Sequence, residues 1–259
     1  MADPDMIHLE NPPLVEVVVR LGPSRAWLDL HDLQTICRLT SALRERLPEA
    51  RFLEDHHPSS APFIPVQIEG LLSGIRFSGR PDGISLTVLP QLIFVQWENR
   101  ALGEPQDYPH FGALEDLLTW AVDIIRQTAG SSALPSFKLA NISYTNFVPT
   151  QTRPSWQDVR RYLVPEAIPA CLEDSALCNE VNLSWKNDEG RDHRLLVRAL
   201  RSGEDMPRGF ELVAAAGRFL DPAQTWPQDD LRANHEALKK LFRSVITRQA
   251  RQEWRWVDG

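Results

Sequence analysis

The chain has 259 residues, 42% of them apolar and 24% charged, with a formal net charge of −7 at pH 7. That is enough chain for one large or two small domains with a real core, and too acidic a balance for a surface built as a whole to grip phosphate backbones. Cys37, Cys171 and Cys178 form no C-x-x-C pair and no dense framework, which fits a reducing cytoplasmic compartment. The opening MADPDMIHLENPP is acidic and broken by proline, unlike a leader peptide, and no apolar run approaches the roughly 20 residues that span a bilayer. A soluble protein with no membrane association is expected.

In PPLVEVVVRL, Val15, Val17, Val19 and Leu21 fall on one side at period two, with Glu16 and Arg20 on the other beside Leu14 and Val18. This predicts a strand with one buried face. Leu33, Ile36, Cys37, Thr40, Leu43 and Leu47 recur every three or four residues, so DLQTICRLTSALRERL predicts an amphipathic helix stopped by Pro48. ARFLED follows as a short strand, and HHPSSAPFIPVQ, rich in proline, as a loop or edge. Asp82-Gly83 marks a tight turn between Ile75/Phe77 and Ile84/Leu86/Val88, and Leu92 to Trp97 continues as a further strand after Pro90. A helix from about Pro109 turns Phe111, Leu114, Leu118, Ala121 and Ile125 inward, and KLANISYTNFV is a strand with Ala140, Ile142, Tyr144 and Val148 on one face.

Residues 149–179, punctuated by Pro149, Pro154, Pro165 and Pro169, read as a packed connection. Strands follow around Val181/Leu183/Trp185, in DHRLLVRALR and in RGFELVAAAGRF, and then a long final helix. The fold class is therefore α+β: antiparallel sheets with helices on one face, in two similar sheet-plus-helix units (residues 10–150 and 151–259) packed as one body.

NPPLVEVVVRL, a hairpin and strand ending VQWEN, then YPHFGALEDLL, ISYTNFV and NHEALKKLFRSVIT together resemble, in that order, a sporadically distributed family of uncharacterised bacterial proteins of about this length. The likeness covers most of the chain. The resemblance carries no catalytic motif onto these positions, and the family's scattered occurrence implies mobile or defence-associated genes. It implies an accessory role in prokaryotic antiviral defence, of the kind found beside type III CRISPR loci.

The side chains with chemical potential mostly have structural explanations. His235 lies on the inner stripe Leu231, His235, Leu238, Phe242, Val245 and Gln249, where a histidine usually satisfies a neighbour. Glu54, Asp55, His56 and His57 in EDHHP are the best metal ligands by type, but adjacent side chains on an extended segment point apart, and no HExxH-like partner occurs. Asp188, Glu189, Asp192 and His193 fit a polar hairpin tip, and Cys171 and Cys178 fit buried thiols. Ser59 and Ser60 lack a nucleophile elbow, and phosphate-loop and RNP patterns are missing. No metal, cofactor or catalytic residue is assigned.

One positive feature remains. On the outer face of the final helix stand Arg232, Lys239, Lys240, Arg243, Arg248, Arg251 and Arg255, with Trp254 and Trp256 beside them. Arginine with tryptophan is enriched where partners dock, so Arg243, Arg248, Arg251, Trp254, Arg255 and Trp256 are the candidate partner-binding residues. The expected function is that of a non-enzymatic accessory protein acting through a protein partner. An RNA-binding or RNA-processing protein is the first alternative. An unrecognised hydrolase using His56, His57 or His235 as acid or base is the second.

Overall fold

A computed structural model describes residues 8–9, 14–30, 32–53, 74–79, 83–99, 108–129, 136–151, 154–167, 180–186, 191–200, 209–220, 227–254 and 256–257. In chain order these form β1 (His8–Leu9), β2 (Leu14–Pro23), α1 (Leu33–Leu43), β3 (Glu49–Leu53), β4 (Gly74–Ser78), β5 (Ile84–Leu89), β6 (Leu92–Glu98), α2 (His110–Ala129) and β7 (Phe137–Pro149). Then come α3 (Trp156–Tyr162), β8 (Glu180–Lys186), β9 (Asp192–Leu200), β10 (Gly209–Phe219), α4 (Gln228–Val245), α5 (Arg248–Glu253) and β11 (Trp256–Val257).

Nine strands make one antiparallel sheet in the order β3-β4-β5-β6-β2-β7-β10-β9-β8, and β1 pairs with β11 where the two ends of the chain meet. At the centre Val17 of β2 lies opposite Tyr144 of β7, and Val19 opposite Ile142. The order outward from this pair is alike on both sides: β6, β5 and β4 beyond β2, and β10, β9 and β8 beyond β7. In place of two sheets packed together, one sheet runs through both halves. The boundary at residue 150 falls just after β7, which hydrogen-bonds to β2 on one side and β10 on the other.

The strands alternate as period two requires. Val17, Val19, Leu21, Ile93, Val95, Trp97, Ala140, Ile142, Phe210, Leu212, Ala214 and Ala216 all belong to one buried cluster with Leu114, Leu118, Ala121 and Ile125 of α2 and Leu231, Leu238 and Leu241 of α4. Each buried Val, Leu, Ile or Phe among them contributes roughly 1.5–3 kcal/mol. Helix α2 packs on β6 and β2, α4 packs on β10 and β7, and the two helices touch, so both cover the same face of the sheet. Small residues lie beneath α4, where Asn234 Nδ2 reaches down to donate to the Ala140 carbonyl at 3.1 Å. At the β4–β5 turn only glycine fits: Gly83 has φ +96°, and a Cβ there would stand 2.5 Å from the Glu98 carbonyl oxygen.

Local structure departs from the sequence reading in four places. A register shift between Leu14 and Glu16 puts Leu14, and not Val15, against the core. The far side of β2 is buried too, since Val18 and Arg20 are as enclosed as Val17. In α1 the inner stripe is Ile36, Leu39 and Leu43, leaving Cys37 exposed and Leu33 69% exposed. The final helix is two helices: α4 ends at Ile246, which adopts an extended φ/ψ and bridges to Leu163, and Thr247 restarts the chain as the N-cap of α5.

That last break has a plain cause. Val245, Ile246 and Thr247 are three β-branched residues in a row, poor helix formers, and a threonine hydroxyl is a good cap. Thr247 Oγ1 accepts from Ala250 N at 3.1 Å, while Ile246 is buried.

Candidate functional site

The break in the C-terminal helix decides the fate of the residues expected to dock a partner. Trp254 is only 6% exposed, because α5 folds back and its ring stacks against Tyr162 (centroids 5.5 Å apart, planes 17° apart) and Phe242 (6.0 Å, 13°). It belongs to the core. Arg251 donates from Nη2 to the Arg243 carbonyl, so it ties α5 to the end of α4. Arg243 is half-buried and Arg248 exposed. Arg255 lies outside the described residues, and so does the side chain of Trp256, whose backbone pairs with Leu9.

Several other cations of this region are engaged within the chain. Arg232 Nε donates to Glu115 Oε1 at 2.9 Å, joining α4 to α2, and Lys239 meets Glu236 at 3.0 Å. Arg161 pairs with Glu253 at 3.5 Å. Deeper in, Arg191 and Asp230, each with side chains 8% exposed, approach to 3.5 Å, and Arg218 adds a second cation to Asp230 at 3.3 Å. Of the four predicted residues whose side chains are described, Trp254 is buried and Arg251 is turned onto the Arg243 carbonyl, so these four do not form one open face. The helical reading missed this because it assumed a single continuous helix through 255.

His235 does pack inward at the edge of the stripe. Its ring lies flat on Phe111 (4.3 Å, 11°), and its Nδ1 is 2.8 Å from Tyr144 Oη. Trp97 meets Tyr108 edge-on at 5.2 Å, and Tyr108 meets His110 and Tyr144 in the same way. His110, the first residue of α2, has φ +64°, the left-handed region a non-glycine residue seldom occupies. Burial pushes the phenol of Tyr144 well above its ordinary range, and the neighbouring Tyr108 pushes the same way. Trp97 of β6, Tyr108 just before α2, His110 and Phe111 of α2, Tyr144 of β7 and His235 of α4 thus meet at one cluster that clasps these elements together.

On the other side of the sheet lies a polar network that the alternation of β2 only outlined. Arg20 Nη1 donates to Asn141 Oδ1 at 3.0 Å and to Ser143 Oγ at 3.1 Å. Glu16 accepts from Gln96 Nε2 at 2.6 Å and from Thr145 Oγ1 at 3.1 Å. Burial raises the Glu16 carboxyl above its ordinary value against the opposing pull of Arg20, and burial lowers the Arg20 guanidinium to about 10. Nearby, Arg198 Nε donates to Glu211 Oε2 at 3.0 Å. These groups satisfy one another, as buried charges must.

A groove of about 360 Å³ lies between α1 and β3, lined by Ile36, Cys37, Thr40, Ser41, Arg44 and Phe52. Phe52 is 54% exposed on the edge strand, and Leu33 stands one turn before Cys37 on the same side of α1. Arg44 Nε donates to the Pro48 carbonyl at 3.1 Å, which fixes its guanidinium at the end of the groove. Sequence reading put Leu33 and Cys37 inside. The signal against this was Leu39, which makes a better stripe with Ile36 and Leu43 than Cys37 does.

The EDHHP segment, with His56 and His57, lies outside the described residues, as do Cys171, Cys178 and the turn at 187–190. Among the described residues no cluster of three or more His, Cys, Asp or Glu could hold a metal, and no helix is long and apolar enough to cross a membrane. The chain matches no protein-family model and no curated protein sequence.

Proposed function

We propose that the protein is a non-catalytic accessory protein that binds a protein partner, and that the α1–β3 groove receives it. One observation carries this reading: Phe52, a large apolar side chain that lines the groove, stands 54% exposed, and Leu33 is exposed one helical turn before the groove's Cys37, a costly arrangement for a surface with no occupant. The groove fits a segment that sets an apolar side chain against Ile36 and Phe52 and an acceptor group toward Arg44. Elsewhere among the described residues much of the chemistry is turned inward: His235 bonds and stacks, the side chains of the Glu16 and Arg20 network bond one another, and several cations of the basic helix face are paired. That pairing also leaves the RNA-binding alternative with fewer cations than the sequence offered.

The reading is tested by placing a bulky charge on the groove floor, Ser41→Arg, in a tagged full-length chain. Loss of a stoichiometric partner by this variant, with retention by Arg248→Glu, supports the groove. Retention by Ser41→Arg together with loss by Arg248→Glu moves the docking surface to the C-terminal helices.

A further inference from the structure

The edge strand β3 carries a charge pattern that is complementary to itself. Its sequence is EARFL, and among the described residues it hydrogen-bonds only to β4. Glu49 and Arg51 point to the side of the sheet away from Ala50 and Phe52, and both are exposed. Across β4, Glu49 faces Ser78 and Arg51 faces Arg76, so the arginine stands directly opposite a like charge. Arg76 already has a carboxylate in reach, Glu98 at 3.9 Å. Among the described residues, Arg51 meets a like charge on its inner side and no strand on its outer side.

We infer that two copies of the chain pair through β3, antiparallel about a twofold axis at Ala50. A twofold perpendicular to the sheet keeps each face on its own side, so residues of equal parity meet across the new pair. With the axis at Ala50, Glu49 of one copy lies opposite Arg51 of the other, and the same contact repeats by symmetry. Both cross-strand ion pairs form on the side where, among the described residues, Arg51 faces Arg76. Phe52 of each copy falls opposite Pro48 of the other, on the groove side of the sheet. A register shifted by one pair would set Arg51 against Arg51 and is disfavoured.

An edge protected against pairing usually carries one sign of charge, a proline within the strand, or a bulge. Here the two charges are opposite in sign and two residues apart, a spacing that attracts an inverted copy. The pairing joins the sheets into one of eighteen strands (nine from each chain) and places the two α1–β3 grooves on the same face of the joined sheet, related by the twofold. It goes beyond the partner reading and stands without it.

The test is light scattering on the full chain during dilution. The wild-type protein is expected at twice the 29.4 kDa chain mass. Glu49→Arg alone and Arg51→Glu alone each replace two attractions with two repulsions, and each should weaken self-association by at least about tenfold. An equimolar mixture of the two variants should recover the double mass, because every cross-strand pair is again opposite in sign; this recovery also shows that both variants are folded. A wild-type chain that is monomeric throughout, or a dimer that both single variants leave intact, overturns the inference.

Discussion

Tyr144 Oη lies 2.8 Å from His235 Nδ1 while the same imidazole stacks on Phe111, so one side chain of α4 is held by a strand and by a second helix at once. The bond joins residues 91 positions apart in the sequence. It answers why a histidine sits in an apolar stripe: there it has a phenol to bond and a ring to lie on.

Removing the two contacts separately should separate their contributions. Tyr144→Phe deletes the hydroxyl but keeps the ring, and is expected to lower stability by about 1 kcal/mol. His235→Ala loses both contacts and opens a void, so a larger loss is expected. A double-mutant cycle by urea unfolding should show coupling between them; strict additivity would mean that the hydrogen bond contributes nothing.

The same cluster sets an alkaline limit. Tyr144 has its pKa raised in the folded chain above the ordinary value of 10.0, so its stabilising contribution is complete below that value and is lost as pH climbs through the folded one. Stability measured by urea should therefore fall above about pH 10, and Tyr144→Phe should make the fall shallower. An unchanged slope in the variant would remove Tyr144 as its source.

Glu16 makes the corresponding prediction in acid. Its carboxyl is raised by burial, so its contribution is complete below the ordinary value of 4.5 and is lost as pH rises through the folded-state value. Gln at this position does not titrate and can still accept from Gln96. The stability of Glu16→Gln relative to wild type should accordingly improve as pH rises above about 4.5 and level off once pH has passed the folded-state value. A difference that is flat or declines over that range would contradict the assignment.

Trp254 and Arg248 divide the expected docking residues into core and surface. Trp254→Ala should cost about 3–5 kcal/mol, since the ring stacks between Tyr162 and Phe242. Arg248→Glu, at an exposed position, should stay within about 0.5 kcal/mol of wild type. Thermal or urea unfolding of the two variants checks both expectations.

How much of this was legible follows from what each pattern measures. Period-two runs located β2, β5, β6 and β7, because their buried faces present Val17, Val19, Ile93, Val95, Ala140 and Ile142 at alternate positions. The joining of the halves was not legible, since which strand pairs with β7 depends on contacts far apart in sequence. The stripe of α1 was misread by about a quarter turn, because Cys37 and Leu33 look as apolar as the Leu39 that displaced them. The break at Ile246–Thr247 was encoded in three consecutive β-branched residues but masked by the strong amphipathic pattern on either side. The polar network on the second face needed two strands to be seen at once: Glu16 and Arg20 alone mark a solvated edge, and only Asn141, Ser143 and Thr145 opposite them turn the pair into a closed interior.

The groove between α1 and β3 is tested by site-directed crosslinking from Cys37, which lines it and is exposed. A chain with Cys171→Ser and Cys178→Ser, carrying a photoactivatable label at Cys37, should capture one protein in native-cell extract in stoichiometric yield. That protein, once purified, should bind the unlabelled chain in calorimetry and lose binding to Ser41→Arg. A captured protein that binds Ser41→Arg as tightly as wild type, or equal capture from a label moved to the exposed position Arg248, would contradict the groove as the docking site.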